Sequence, residues 1–165
     1  MPEISSRGKK VSAAALIATA IAIPAEGLRR VYYLDSASIV TVCYGHTGSD
    51  INKNKTYSLE ECKSLLTSDM LKAVEQVDKC HPNLPVKVLA AFSDAVYNIG
   101  PTIACDAGKS TAARYLYKGD LINACMQLPR WSKSNIGGVM VELPGLVKRR
   151  KQEEQLCLEG ATNAK

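Results

Sequence analysis

The sequence carries none of the short signatures that commit a chain to a cofactor. There is no nucleotide loop, haem motif or flavin fingerprint, so no cofactor is expected. Cys43, Cys62, Cys80, Cys105, Cys125 and Cys157 stand far apart, with no Cys-x-x-Cys pair and no Cys/His set at zinc-ligand spacing. That spacing argues against a metal centre, and none is expected. The basic residues are scattered, without an aromatic-interleaved stripe, a helix-turn-helix or an RNA-binding signature, which argues against nucleic acid as a partner. Past residue 25 there is no internal repeat and no low-complexity tract.

What is present suits one compact domain. The chain has 165 residues, 46% hydrophobic and 22% charged, enough for a single core and too few for two ordinary ones. A net charge of +5 favours encounter with anionic cell-wall polymers, nucleic acid or anionic membranes without choosing among them. Six well-spread cysteines in a small chain suggest disulfides and an oxidising compartment such as the bacterial periplasm. Six cysteines allow about 15 pairings, and the residues alone leave them open, as they leave open six buried free thiols.

The N-terminus bears on that choice. Arg7, Lys9 and Lys10 precede an uncharged apolar run from Val11 to Ile23 that Pro24 closes. Basic residues before an apolar stretch read as an export signal that delivers the rest of the chain outside the cytoplasm. The run is shorter than the roughly 20 residues of a comfortable span and rich in weakly hydrophobic alanine, so any membrane hold is marginal. Two alternatives stand beside this one. Leu16, Ile17 and Ile21 share a face at helical spacing, as in an ordinary buried helix, and Ala20-Ile-Ala22 resembles a signal-peptidase site.

From residue 26 to 47, β-branched and aromatic residues flank the polar patch Asp35-Ser-Ala-Ser38, which predicts a short hairpin or meander. Ser58 with Glu61 forms a capping box for a helix running through Met70 and Val74. Pro85 suits the first turn of a central, buried helix that Gly100-Pro101 stops. Ser110 and Asp120 are N-caps for short helices over 111–118 and 121–128, and Lys133 to Gly138 reads as a polar loop. Pro144 opens a last helix with Lys148-Arg-Arg-Lys151 on its solvated side. The fold class is therefore α+β, a small β element followed by a helical body, with a cleft expected between them.

Glu26 ends the first helix, with Gly27 as its stop, and Asp35 sits in the hairpin beyond. Two carboxyl groups opposed across a cleft are what glycosidic hydrolysis requires. Among 16 acids, however, such a pair is more often solvated surface. The wider pattern adds to it. Glu26-Gly27, then Asp35 after eight intervening residues, Thr41 after five more, and Gly45-His46 closing the strand resemble the catalytic signature of phage-type lysozymes, glycoside hydrolase family 24. Residues 95–100, Ser110-Thr111, Pro129-Arg-Trp131, residues 144–150 and Glu154 extend the resemblance over about residues 26 to 159.

The resemblance implies a lysozyme-like fold: a small N-terminal β-hairpin lobe, a larger helical lobe and a cleft between them. It implies an endolysin that hydrolyses the β-1,4 bond between N-acetylmuramic acid and N-acetylglucosamine in peptidoglycan, with host lysis as the outcome. Glu26 would be the general acid, and Asp35 and Thr41 would hold and activate the water, with inversion at the anomeric carbon. Tyr97 and Asn98 fall where the family lines its sugar cleft, although Tyr97 equally suits core packing. His46 is a candidate at the same cleft and also suits a structural role, orienting the hairpin. Trp131 reads better as a core anchor than as a binding residue. The family commonly has a glycine in the turn between the Asp and the Thr, where this chain has Ser36, Ala37 and Ser38, which puts the placing of Asp35 in question.

The same resemblance implies the disulfide pairs Cys43–Cys62, Cys80–Cys105 and Cys125–Cys157. In the family the helix before the catalytic Glu belongs to the folded domain, and here residues 11–25 alone can supply it. The expected organisation is a signal-anchor segment at 1–25 that becomes the first helix of a catalytic domain at 26–165. The chain would be tethered in the inner membrane through residues 11–24 and later released to the periplasm. Expected partners are glycan strands, the export machinery and the membrane, and a monomer is expected. The rivals are a lytic transglycosylase, which needs one acid and forms an anhydro sugar, and a non-catalytic wall-binding protein. A holin-like protein fits poorly, since only one short apolar segment exists.

Overall fold

The computed structural model describes residues 4–163. Helix α1 (Ser6–Ala25) leads into the strands β1 (Arg29–Leu34), β2 (Val40–Cys43) and β3 (His46–Thr47), an antiparallel sheet in the order β1-β2-β3. The helical body follows as α2 (Leu59–Cys80), α3 (Val86–Ile99), α4 (Thr102–Cys105), α5 (Thr111–Tyr117) and α6 (Leu121–Met126). A 3-10 turn over Leu128–Trp131, a hairpin of β4 (Lys133–Ile136) and β5 (Val139–Glu142), and α7 (Pro144–Thr162) complete the chain.

Local chemistry accounts for these limits. Ser58 accepts from the Glu61 amide while the Glu61 carboxylate accepts from the Ser58 amide, the capping box expected for α2. Ser110 and Asp120 cap α5 and α6 as read from sequence, each accepting from an amide three residues on. Pro85 is the N-cap of α3, one position ahead of the first turn. The stretch read as a polar loop after Lys133 is instead a hairpin, because Gly137 and Gly138 both take positive φ (60° and 88°) and reverse the chain tightly.

The core lies around α3, whose residues Val88 to Val96 are all buried, with α1, α2 and α7 packed against it. Trp131 packs on this core from the 3-10 turn. Helix α1 differs from the expected apolar face. Its buried residues are Ala14, Ala15, Ala18 and Ala22, while Leu16 is 70% exposed. Small side chains let the α1 backbone approach its neighbours closely, so Leu16 turns outward while Val11, Ile17 and Ile23 pack part-buried at the edge of the contact. Three disulfides cross-link the body. Cys43–Cys62 ties β2 to α2, Cys80–Cys105 ties α2 to α4, and Cys125–Cys157 ties α6 to α7, with Cα–Cα separations of 4.9, 5.8 and 5.5 Å.

Candidate active site

Helix α1 delivers Glu26. Its last intrahelical bond runs from the Glu26 amide to Ala22 O at 2.8 Å, and Glu26 itself has extended backbone (φ −93°, ψ 135°). Glu26 is thus the C-cap, and Gly27, expected as the stop, has no positive φ. Pro24 does not end the helix, which continues through Ala25. The change from helical to extended backbone at Glu26 points the side chain, 23% exposed, toward the interface of sheet and helical body.

A cavity of about 300 Å³ opens there, lined by Glu26, Tyr44, Gly45, Thr47, Asp69, Tyr97 and Asn98. Most of these side chains carry hydrogen-bonding groups, as a sugar requires. Gly45 has φ +82°, and a Cβ there would lie 3.8 Å from Glu26 Oε2 and 3.9 Å from Tyr97 Oη. Glycine both permits this turn and keeps the space between acid and phenol free. The Tyr97 hydroxyl donates to Tyr44 O at 2.5 Å, tying α3 to the sheet. Burial, with the nearby carboxylates Glu26 and Asp69, pushes the phenol above its ordinary range, so it remains a neutral donor.

Behind Glu26 lies a buried ionic cluster. Arg149 of α7, only 3% exposed, donates through Nη1 to Glu26 Oε1 at 2.6 Å. Its Nε and Nη2 grip Asp94 of α3 at 2.9 and 2.7 Å. Burial would lower the Arg149 pKa, but the bonds to Asp94 and Glu26 outweigh it and raise it. Arg150, fully buried, donates through Nη2 to Asn98 Oδ1 at 2.8 Å and to Glu153 Oε1 at 2.7 Å. Its Nε is also 2.7 Å from Glu153 Oε2, without hydrogen-bond geometry. Burial and the Asp94 carboxylate push the Glu153 carboxyl well above its usual range. The segment Lys148–Lys151, read as a solvated face, therefore splits: Arg149 and Arg150 turn inward because Asp94 and Glu153 are buried there.

Of the residues singled out from sequence, Glu26, Tyr97 and Asn98 come together on the cavity. Asn98 has its carbonyl oxygen occupied by Arg150, which leaves the amide NH₂ as its donor. His46 is only 7% exposed and is clamped between Asp69 (Nδ1–Oδ2, 2.7 Å) and Asp50 (Nε2–Oδ1, 3.0 Å), a structural position adjoining the cavity wall. Burial opposes its protonation, but the two carboxylates outweigh burial and raise its pKa.

Asp35, in the turn after β1, and Thr41, in β2, are not among the residues lining the cavity. Asp35 Oδ1 accepts from the amides of Ala37 and Ile39 at 2.8 and 2.9 Å, an Asx-type turn that fixes the carboxylate. Ser38 takes φ +61° in that turn, so the left-handed position expected to want glycine is occupied by serine. Thr41 is 3% exposed and its hydroxyl donates to Ile39 O at 2.9 Å. Sequence reasoning missed Asp69, Asp94 and the inward turn of Arg149 and Arg150. An acid at position 94, the one charged residue in the stretch of α3 from Val88 to Val96, was the available signal.

Comparison with known proteins identifies the family. The phage lysozyme family model matches residues 24–153. The SAR-endolysin of bacteriophage PS119 is 39% identical over 136 residues, covering 82% of this chain and 77% of that protein. The SAR-endolysin of Enterobacteria phage P21 is 37% identical, covering 82% and 78%. The muramidase domain of SpmX from Asticaccaulis excentricus superposes with a TM-score of 0.72 at 25% identity, over 96% of this chain and 99% of that one. The fold also matches the active form of P1 phage endolysin Lyz, with a TM-score of 0.74 at 22% identity over the whole of both chains. The secreted inactive form of the same endolysin matches less well, at 0.56 and 20% over 99% and 100%. The chain belongs to the phage lysozyme family and is a peptidoglycan-hydrolysing muramidase of the endolysin kind.

Proposed function

We propose that Glu26 is the general acid of this muramidase, protonating the oxygen between N-acetylmuramic acid and N-acetylglucosamine, while Asp35 and Thr41 hold and activate the attacking water. The observation that carries the reading is Glu26 itself, a cleft carboxyl at the junction of α1 and the sheet, held at 2.6 Å by a buried arginine. Water attack from the face opposite the acid gives inversion. The Asx turn supports the role of Asp35, because it fixes one oxygen on two amides and leaves the other for water. Catalytic contacts of this kind tighten when substrate binds. Tyr97 and Asn98 bind the glycan, and His46 supports that wall through Asp69.

Residues 1–25 serve first as a signal-anchor and then as α1 of the domain at 26–165. The chain is a monomer, carried out by the export machinery, tethered to the inner membrane through residues 11–24 and active once released to the periplasm. Helix α1 is apolar and about 30 Å long, enough for a marginal span. The relatives named as SAR-endolysins support this order of events, as does the better fit to the active form of the P1 endolysin. A tethered α1 is absent from the domain, so Glu26 lacks Arg149.

Fractionation of expressing cells tests the tether. Ser12→Leu with Ala20→Leu, both on the exposed side of α1, raises the membrane-bound fraction and delays lysis. An active periplasmic form that begins at Ile23 or Glu26 overturns it. For the chemistry, NMR of the newly formed anomer identifies inversion, and retention of configuration contradicts it.

A further inference from the structure

Helix α1 carries the catalytic acid, yet the centre of the face it packs is made of small side chains. Helices lock axially when large side chains of one fit between those of another. The fully buried residues of α1 are four alanines, with Val11, Ile17 and Ile23 packed part-buried beside them, and a row of methyl groups at the centre of the contact resists sliding or rotation less than interlocked large side chains would. The ion pairs at its two ends therefore add directional contacts that fix the register of α1. At the C-terminal end Glu26 meets Arg149 at 2.6 Å.

At the other end Arg7 Nε lies 2.6 Å from Asp78 Oδ2, and Lys10 Nζ lies 3.4 Å from Asp78 Oδ1. Lys10 Nζ also donates to Pro82 O at 2.9 Å, beyond the end of α2. The Asp78 side chain is 2% exposed, whereas those of Arg7 and Lys10 are 62% and 21% exposed. A carboxylate so deeply buried requires opposite charge. Among the described residues, the ion-pair partners of Asp78 both come from α1.

We propose that Asp78 is a positioning residue, which captures Arg7 and Lys10, sets the register of α1, and so holds Glu26 in place at the far end of the helix. The two ends are separated by roughly 28 Å of helix, at about 1.5 Å per residue. A slip of one residue moves Glu26 by about 1.5 Å and turns it by about 100°, which breaks the Arg149 contact. Misplacement of that size costs on the order of a hundredfold in rate. The proposal rests on the assignment of Glu26 as the acid. It also gives the basic flank of the signal-anchor a second task after release, because Arg7 and Lys10 reach Asp78 only when α1 docks.

The test measures hydrolysis of purified sacculi by the oxidised full-length protein and its Asp78→Asn, Asp78→Glu and Glu26→Gln variants. Asp78→Asn lowers kcat at least tenfold with KM within about twofold, and Asp78→Glu restores most of the loss. A merely stabilising ion pair would lower the melting temperature and leave the kcat of folded protein unchanged. Folded Asp78→Asn protein with wild-type kcat overturns the proposal. If Asp78→Asn does not fold, the double variant Arg7→Gln with Lys10→Gln decides, and wild-type kcat in that protein is equally fatal. Activity surviving in Glu26→Gln would instead remove the assignment on which the proposal stands, an outcome distinct from an inactive Glu26→Gln beside a fully active Asp78→Asn.

Discussion

Arg149 holds Glu26 with one arm and Asp94 with two, so a single guanidinium joins the first helix α1, the central helix α3 and the last helix α7. Most of its charge is answered by Asp94, which leaves Glu26 with a directed donor and an incomplete counter-charge. Lysine cannot reproduce that fork. Arg149→Lys keeps a positive charge beside Asp94 and releases Glu26, so kcat falls at least tenfold with a modest loss of melting temperature. Arg149→Ala leaves fully buried Asp94 without its partner and costs about 3–5 kcal/mol in denaturant unfolding. Equal losses of stability in the two variants would contradict this division of roles.

The two histidines respond to pH in opposite senses. The His46 pKa is raised, because Asp69 and Asp50 outweigh burial, so its contribution is complete below the ordinary value near 6.5 and is lost as pH rises through the raised value. The Asp50 pKa is lowered, chiefly by the bond to His46, so the low-pH limit of the pair is set by protonation of that carboxylate. The His81 pKa is lowered by burial, partly offset by its bond to Ala104 O, so its site loses stability as pH falls through the lowered value. Urea unfolding of His46→Asn therefore shows a larger deficit at pH 5.5 than at pH 9, and His81→Asn narrows its gap to wild type as pH falls.

Ser38 takes the left-handed backbone that a glycine takes at no steric cost. Relief of about 1–2 kcal/mol of strain, less about 0.5–1 kcal/mol of added chain entropy, makes Ser38→Gly neutral to stabilising. The Asp35 turn is preserved, so activity on sacculi is retained. Ser38→Val, with a branched side chain at the same φ, lowers both stability and activity. A clear loss of stability in Ser38→Gly would mean that the serine side chain does more than tolerate the turn.

The disulfides close intervals of 19, 25 and 32 residues and are each worth about 2–4 kcal/mol. Reductant lowers the melting temperature of the enzyme. Loss of the Cys43–Cys62 bond also lowers activity before the domain melts, since it anchors the sheet that carries Thr41 to α2. An unchanged melting temperature under full reduction would contradict the stapling role.

Sequence patterns of short range were legible. The Ser58–Glu61 capping box, the caps Ser110 and Asp120 and the apolar run of α3 each depend on neighbours within a turn or two, and each took its expected form. Glu26, Tyr97 and Asn98 met on one cavity because they lie at the ends of elements whose limits could be read. Charge burial was not legible in the same way. Whether Arg149 and Arg150 face water depends on Asp94 and Glu153, and the Asp94 partner lies 55 residues away from Arg149. The alanine face of α1 was hidden for a related reason, since hydropathy ranks leucine and isoleucine above alanine while close helix packing selects the smaller residue.

The most direct test of the account is digestion of purified sacculi by the oxidised full-length protein and by Glu26→Gln, with mass analysis of the released muropeptides. Products with reducing ends from wild type, and none from a folded Glu26→Gln, are predicted. Anhydro-ended products, or reducing ends that persist in the variant, would contradict hydrolysis by Glu26 acid catalysis.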